Sequence, residues 1–338
     1  MQNRRDFLKG TAIAGAAATV AACGHMESSQ ATPVAAALKP GGAMPKNLTF
    51  TTVAGSDGYR LGVRTGRGIM DVRHAAMHHG RNVPTTIDDL LRYGDNGLSD
   101  LVREAQANGP APLFLDEASI KYGPAVTNPG KIVCVGLNYA RHARETNNPI
   151  PKLPILFNKF NNTLNCHNGV VRVSDVPATN FDYESELVIV MGRRAHNVSE
   201  ADALSYVFGY TNGNDFTARD LQGRSSQWMI GKTNDGFGLL GPWLVTADQC
   251  NPNDMKVVGT VNGEVRQSSN TNDMVFNCAQ IISYTSKLFT LDPGDIIYTG
   301  TPEGVIAGYP KERQVWLKPG DKLETTIGNL GTLRFTLA

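Results

Sequence analysis

The sequence shows no excess of charge and no nucleotide-binding or redox motif. Its 32 lysines and arginines nearly balance 31 aspartates and glutamates, so a net charge of +1 gives no electrostatic reason to bind nucleic acid. None of the five cysteines lies in a CxxC pair, which argues against a zinc knuckle or a thioredoxin-like motif. GxGxxG, GxxxxGK[ST] and internal repeats are also absent. The remainder is ordinary globular composition, 41% apolar and 19% charged, in a chain long enough for two domains.

The N-terminus resembles a twin-arginine export signal. Arg4 and Arg5 precede a weakly hydrophobic Ala/Gly-rich run at 11–22, which is too short to span a bilayer. The following Val20-Ala21-Ala22-Cys23 resembles the lipobox of bacterial lipoproteins, although a signal-peptidase site with a chance cysteine would look the same. We therefore predict export to the periplasm by the twin-arginine translocation machinery, with a lipid anchor at Cys23 as an open alternative.

Export leaves the state of the other cysteines open. An oxidising compartment permits disulfides, but a chain that folds before export keeps buried thiols. The residues concerned are Cys134, Cys166, Cys250 and Cys278.

Turn residues and short apolar runs divide the rest of the chain. After a signal peptide at 1–23, residues 24–46 are rich in Ala, Ser, Gly and Pro and predict a disordered tether. Residues 47–125 mix β-like runs with short capped helices, which predicts a small α+β domain. Residues 126–338 contain short apolar runs separated by turn signals. This larger domain is predicted to be mostly β, with mixed strands and a few helices at its rim.

Two glutamates lie where a buried strand begins. Glu184 and Glu186 are followed by Leu187-Val188-Ile189-Val190, and residues two apart on a strand face the same side. Two like charges entering an apolar strand are costly unless something positive neutralises them. A hard divalent cation such as Mg²⁺, Mn²⁺ or Ca²⁺ does this through carboxylate oxygens. A solvated strand start is the alternative, and the pair by itself would favour it.

Three further segments place this pair in a larger pattern. Together with 181–190, they occur in the order and spacing of the fumarylacetoacetate hydrolase family, which the chain resembles from about Lys131 to Ala338. The resemblance implies the family's mixed β-sheet roll or barrel, and a homodimer. The three segments are 135–145 (VGLNYARHARE), 209–222 (GYTNGNDFTARDLQ) and 293–305 (PGDIIYTGTPEGV).

The resemblance also implies which residues bind metal and which carry catalysis. By position the metal ligands are Glu184, Glu186 and Asp215, and the ion is Mg²⁺ or Mn²⁺, with Ca²⁺ as an alternative. His142 and Glu145 correspond to the family's histidine–glutamate pair on a short lid helix. A spacing of three residues puts them on one helical face, so the carboxylate can orient the imidazole.

Further pocket residues follow from the same resemblance. Lys232 matches the family's active-site lysine, and the alternative is a surface lysine. Four other residues fall in segments that line the family's pocket and are predicted to bind substrate: Tyr139, Lys159, Gln222 and Thr301.

These residues predict a hydrolase that cleaves a C–C bond in a 2-oxo or 1,3-dicarbonyl acid, such as an acylpyruvate or a compound like fumarylacetoacetate. In this hypothesis His142, held by Glu145, activates a water, and Lys232 stabilises the oxyanion. The family also contains decarboxylases, isomerases and lyases, which are the alternative. An exported dicarboxylate-binding protein is a second alternative, but pure binding does not need a base, so the histidine–glutamate pair argues against it.

Overall fold

β-Strands dominate the structure, as the short apolar runs predict. A computed structural model describes residues 38–338, in which nineteen strands form three sheets. The strands are β1 (Thr49–Gly55), β2 (Gly58–Thr65), β3 (Gly68–Asp71), β4 (Phe114–Leu115), β5 (Ile132–Gly136), β6 (Ile155–Lys159), β7 (Leu164–Cys166), β8 (Gly169–Val171), β9 (Phe181–Asp182), β10 (Ser185–Met191), β11 (Val207–Asp215), β12 (Thr217–Ala218), β13 (Gly238–Leu240), β14 (Leu244–Thr246), β15 (Lys256–Val261), β16 (Glu264–Asn270), β17 (Ile296–Tyr298), β18 (Lys322–Ile327) and β19 (Thr332–Leu337).

The main sheet is mixed and has twelve strands. Ten of them follow the order β4-β3-β2-β1-β14-β11-β10-β17-β5-β6, while β13 pairs with β11 and with β7. Strand β10 is buried along its whole length and lies between β11 and β17, both antiparallel to it. A second sheet has the order β16-β15-β18-β19-β8, and β9 pairs with β12. The apolar run after Glu186 is therefore a central strand, covered on both faces.

The helices are short and few. In the described residues they are α1 (Val72–His78), α2 (Ile87–Tyr93), α3 (Leu98–Asn108), α4 (Ala140–Glu145), α5 (Glu200–Ala203), α6 (Arg219–Gln222), α7 (Met229–Lys232) and α8 (Cys278–Leu288). Helix α8 begins with a capping box: the Asn277 side chain accepts from Gln280 N, and the Gln280 side chain accepts from Asn277 N. The prediction of a mostly β structure with fewer helices is confirmed.

The main sheet continues across the predicted boundary between residues 125 and 126. Strand β1 pairs antiparallel with β14, with Phe50 opposite Leu244. A single hydrophobic cluster contains Leu90 and Leu101 as well as Val188 and Tyr298. The described residues accordingly belong to one compact unit.

The end of the predicted tether is bonded to the folded chain. The signal peptide and residues 24–37 lie outside the described residues, but 38–46 lie within them. Gly42 N donates to Tyr93 O at 3.0 Å, and Asp95 N donates to Ala43 O at 2.8 Å. Met44 packs against the hydrophobic core. Local composition predicted disorder here because it does not register backbone hydrogen bonds to residues fifty positions away.

The cysteines of the described chain are free thiols. Cys134 and Cys278 are buried, whereas Cys166 and Cys250 are partly buried. Burial raises the pKa of the Cys278 thiol to about 12 and that of Cys166 to about 11. A raised pKa favours the thiol form at neutral pH, which is less nucleophilic than the thiolate. Across 38–338, no helix has the length and apolarity needed to cross a membrane.

The capping box of α8 provides a test of local stability. Asn277→Ala removes the side chain that accepts from Gln280 N, so we expect the free energy of unfolding to fall by about 1 kcal/mol. The measurement is the midpoint of urea unfolding. Asn253→Ala, in an exposed turn, is the matched control and should shift the midpoint little. Equal shifts for both variants would contradict the role of the cap.

Candidate active site

Strand register brings three acidic residues together. Glu184 comes directly before β10, Glu186 lies in β10, and Asp215 ends β11. The two strands pair antiparallel with Ser185 opposite Asn214, and Asp215 N donates to Glu184 O at 2.9 Å. One carboxylate oxygen from each of the three residues lies within 4.8 Å of the others, and all three residues are buried. The end of one strand and the start of its neighbour thus build a single acidic cluster.

Buried cations neutralise two of the three carboxylates. Lys232 Nζ lies 2.6 Å from Glu184 Oε2 and 2.6 Å from Asp215 Oδ2. Lys159 Nζ lies 2.6 Å from Asp215 Oδ1, and Arg219 Nη2 lies 2.7 Å from Glu184 Oε1. Burial favours the neutral form of Glu184, but Lys232 and Arg219 outweigh it and lower the pKa to about 2. Glu184 and Asp215 are therefore paired carboxylates.

Glu186 has a different environment. Its Oε2 accepts from Gly300 N at 2.7 Å, but it forms no ion pair with any residue of the described chain. Burial, with repulsion from Asp215 and Glu184, raises the pKa of Glu186 well above its usual range. Gly300 has a φ of +99°, and a Cβ there would lie 2.7 Å from Asn138 Cβ. Only glycine brings its N–H this close to Glu186.

The donor set fits a hard divalent cation. Four buried carboxylates (Asp182, Glu184, Glu186, Asp215) face three cations (Lys159, Arg219, Lys232), so full ionisation would leave the cluster with an excess of one negative charge, 4 − 3 = 1, and burial opposes that charge at Glu186. A carboxylate has about four lone-pair sites, so the paired oxygens can also bind a metal ion. All-oxygen carboxylate ligands suit Mg²⁺, Mn²⁺ or Ca²⁺. The unpaired Glu186 is the group that such an ion would neutralise.

A histidine and a glutamate on α4 form the second cluster. His142 Nδ1 and Glu145 Oε1 are 2.8 Å apart, and His142 is buried. The other Glu145 oxygen, Oε2, accepts from Gly304 N at 2.9 Å. An ionised carboxylate only accepts hydrogen bonds, so we assign the proton to Nδ1. In the neutral imidazole, Nε2 of His142 is then the nitrogen that can accept a proton.

Both clusters line one cavity of about 740 Å³. Of the residues predicted from the sequence, seven are in its lining: His142, Glu145, Glu184, Glu186, Gln222, Lys232 and Thr301.

Three other predicted residues lie behind the lining. Asp215 is fully buried within the acidic cluster, and Lys159 is bound to it. Tyr139 is buried at the start of α4, and its hydroxyl has no hydrogen-bond partner in the described chain. The structure therefore gives Lys159 a contact with a predicted metal ligand rather than a place in the cavity wall.

Sequence reasoning missed Arg219 and Asp182. Asp182 is fully buried, and its Oδ2 accepts from Arg219 Nε at 2.9 Å, while Arg219 binds Glu184. The pairing of β9 with β12, which sets Asp182 opposite Thr217, brings them together. The sequence indicates these two residues only by their proximity to predicted metal ligands: Asp182 precedes Glu184 by two residues, and Arg219 follows Asp215 by four.

Comparison with known proteins agrees with the pattern in the sequence. Residues 131–338 match the family model for the fumarylacetoacetate hydrolase C-terminal domain. The chain belongs to the fumarylacetoacetate hydrolase family. Residues 1–21 match the signal sequence of the twin-arginine translocation pathway. The family, the family fold and the export signal predicted from the sequence are thus confirmed.

Similar proteins cover most of the chain. A Dictyostelium discoideum protein named fumarylacetoacetate hydrolase domain-containing protein 2 homolog is 39% identical over 301 residues, 85% of this chain and 95% of that protein. The Bos taurus mitochondrial oxaloacetate tautomerase FAHD2A is 40% identical over 282 residues, 82% of this chain and 86% of that protein.

Solved structures show the same fold. A 2-hydroxyhepta-2,4-diene-1,7-dioate isomerase from Mycobacterium marinum is 28% identical, with a TM-score of 0.65, covering 86% of this chain and 98% of that one. A fumarylacetoacetate hydrolase from Exiguobacterium antarcticum is 30% identical, with a TM-score of 0.70, covering 86% and 99%. The family thus includes tautomerases and isomerases as well as hydrolases, and the proteins similar to this chain favour the isomerase alternative over C–C hydrolysis.

Glu186→Gln tests the acidic cluster. Glutamine keeps the shape of the glutamate but cannot ionise in this buried position, so the metal-free protein should keep or raise its melting temperature. The stabilisation that Mn²⁺ gives the native protein should disappear, because a ligand stabilises only the state that binds it. Differential scanning calorimetry with and without Mn²⁺ measures both.

Glu324→Gln is the matched control, because this glutamate is on the surface and pairs with Arg334. It should leave the stabilisation by Mn²⁺ intact. Equal stabilisation of Glu186→Gln and the native protein by Mn²⁺ would show that the cluster does not bind the metal.

Proposed function

We propose that this protein is a divalent-metal-dependent tautomerase of 2-oxo acids, which interconverts their keto and enol forms. The observation that carries the proposal is the His142–Glu145 pair, 2.8 Å apart, in the lining of the same cavity as Glu184 and Glu186. The tautomerase name of relatives about 40% identical over most of the chain supports it. Keto–enol exchange needs one base near the carbon next to the 2-oxo group and stabilisation of charge on that oxygen.

The residues of this chain suit the movement of one proton. His142 Nε2 removes a proton from C3 of the keto acid and returns it to the oxygen at C2, so that no atom is gained or lost. Glu145 stabilises the imidazolium that forms in between, and Gly304 N fixes the other oxygen of Glu145. The base is therefore held in one orientation throughout.

The acidic cluster would hold the metal. Glu184, Glu186 and Asp215 would hold the divalent cation, which when bound would supply Lewis-acid stabilisation of the negative charge that the 2-oxo group acquires. Lys232 uses two of its three N–H groups on Glu184 and Asp215, which fixes these carboxylates in place. Its third N–H makes only a long contact with Asp215 O, at 3.4 Å, which a substrate oxygen would replace in the role that the sequence predicted for Lys232.

Hydrolysis of a C–C bond is the second candidate. The same His142 Nε2 could deprotonate a water that attacks the distal carbonyl of an acylpyruvate, with release of two acids. The similarity to the Exiguobacterium antarcticum fumarylacetoacetate hydrolase supports hydrolysis as a second candidate function. Product analysis separates the two activities, because tautomerisation keeps the carbon skeleton and hydrolysis divides it.

Substitution of the base tests the mechanism. His142→Asn should lower kcat for oxaloacetate ketonisation by about 10²–10⁴-fold, the usual contribution of a general base. Loss of enol absorbance measures the rate. Binding of Mn²⁺ should not change, because the imidazole is not one of the three carboxylate ligands.

His78→Asn is the matched control, since His78 is exposed at the end of α1. It should keep the native rate. A native rate in His142→Asn would exclude this histidine as the base.

We further propose that the folded enzyme is exported to the periplasm and acts there as a homodimer, with lipidation of Cys23 as an open alternative. The match of residues 1–21 to a twin-arginine signal supports export. Size-exclusion chromatography with light scattering measures the oligomeric state, and Cys23→Ser tests the anchor by release from the membrane fraction.

Substitution of both signal arginines tests the export route. The double variant Arg4→Lys, Arg5→Lys should leave the protein in the cytoplasm, because the pathway recognises the arginine pair. Cell fractionation followed by immunoblotting measures this. Lys9→Arg is the control and should be exported normally. Export of the double variant would show that another route is used.

A further inference from the structure

Four cationic or potentially cationic side chains line the cavity: His142, Arg219, Lys232 and Lys311. The first three are committed to carboxylates of the protein: His142 to Glu145, Arg219 to Asp182 and Glu184, and Lys232 to Glu184 and Asp215. Lys311 differs from them. It forms no ion pair within residues 38–338, and it is exposed at the mouth of the cavity.

The segment that carries Lys311 is fixed by a buried carboxylate. Ile306 N donates to Asp182 Oδ1 at 2.9 Å, and Ala307 N donates to Asp182 Oδ2 at 3.0 Å. Gln314 Nε2 then donates to Tyr309 O at 2.9 Å, which closes the loop across Lys311. The backbone on both sides of this lysine is therefore held by hydrogen bonds, although its ammonium group reaches solvent.

The same carboxylate connects the loop to the acidic cluster. Asp182 Oδ2 accepts from Arg219 Nε at 2.9 Å, and Arg219 Nη2 lies 2.7 Å from Glu184 Oε1. The position of Lys311 relative to the metal-binding carboxylates is thus set by a chain of charge-assisted bonds, which are among the stronger hydrogen bonds in proteins. A substrate held at the cluster would therefore meet a loop whose backbone is fixed, with the Lys311 side chain extending from it.

We propose that Lys311 determines substrate specificity by binding the distal carboxylate of 2-oxo dicarboxylic acids. This proposal rests on the proposed function, which places the 2-oxo end of the substrate at the acidic cluster. A second carboxylate on the substrate would find every other cation of the lining already paired. Among the lining residues within 38–338, the ammonium of Lys311 is the remaining positive charge that can pair with it. A 2-oxo monocarboxylic acid makes no use of this contact.

Two substrates that differ only at the far end provide the test. Oxaloacetate carries a carboxylate where 2-oxobutyrate carries a methyl group, and both have exchangeable protons at C3. Exchange of these protons for deuterium is followed by NMR with Mn²⁺-free, Mg²⁺-supplemented protein. In Lys311→Ala, kcat/KM for oxaloacetate should fall about tenfold, mainly through a higher KM, as expected for loss of a charged hydrogen bond. The value for 2-oxobutyrate should not change.

Matched variants separate specificity from loop stability. Lys311→Arg should restore the preference for oxaloacetate, because it keeps the positive charge. Arg313→Ala, in the same turn but outside the cavity lining, should behave like the native protein. Equal losses on both substrates in Lys311→Ala, or no loss on either, would overturn the assignment of Lys311.

A binding measurement distinguishes failure of this proposal from failure of the proposed function. Affinities for the two acids are measured by calorimetry in His142→Asn, with and without Lys311→Ala, so that no turnover is needed. A preference for oxaloacetate that disappears with Lys311→Ala supports the role of Lys311, even if the native protein catalyses no exchange. The same affinity ratio in both variants overturns it, even if the native protein is a tautomerase.

Discussion

Buried carboxylates are stable only beside compensating positive charge, and the packing at the centre of the protein depends on this pairing. Four carboxylates and three cations lie together where β10 begins and β11 ends. Removal of one partner from a buried ion pair typically costs about 3–5 kcal/mol, because the other charge is left uncompensated. The cations of the cluster come from β6, α6 and α7, so these elements are held against the central strand pair by charge as well as by apolar packing.

Buried carboxylates also hold the two segments that border the cavity mouth, the 306–314 loop and α4. Asp182 accepts from two backbone amides of the 306–314 segment, so one buried carboxylate orients both Arg219 and that loop. Glu145 accepts from Gly304 N, which ties α4 to the residues just before the loop. Hydrogen bonds to Gly304, Ile306 and Ala307 therefore fix the positions of both α4 and the loop.

This arrangement explains how one family can host several reactions. A base in a fixed orientation and a cluster of hard oxygen ligands are useful wherever a proton next to a 2-oxo group must move. Whether the product is a tautomer, an isomer or two fragments depends on where water can enter and on what holds the far end of the substrate. The cavity wall around the two clusters includes Gln222, Thr301 and residues 307–311 of the loop.

The sequence by itself determined the family, the strand-rich fold and the acidic triad. These follow from local patterns: short apolar runs, the alternation of Glu184 and Glu186, and the spacing of four motifs. The i to i+3 spacing likewise predicted that His142 and Glu145 would meet, and they do.

Only the tertiary structure decided which charges are paired. Lys159, Asp182 and Arg219 are far from their partners in sequence or lack a periodic pattern, and strand register brings them together. That Lys311 has no ion-pair partner within residues 38–338 is likewise visible only in the fold, because it depends on every side chain that the fold places near this lysine. Hydrogen bonds also order the end of the predicted tether, because Gly42 bonds to Tyr93 at the end of α2 and Ala43 bonds to Asp95 just beyond it. Local composition predicts the secondary structure or disorder of a segment in isolation. Charge pairing and backbone hydrogen bonding depend instead on which residues the fold places beside that segment.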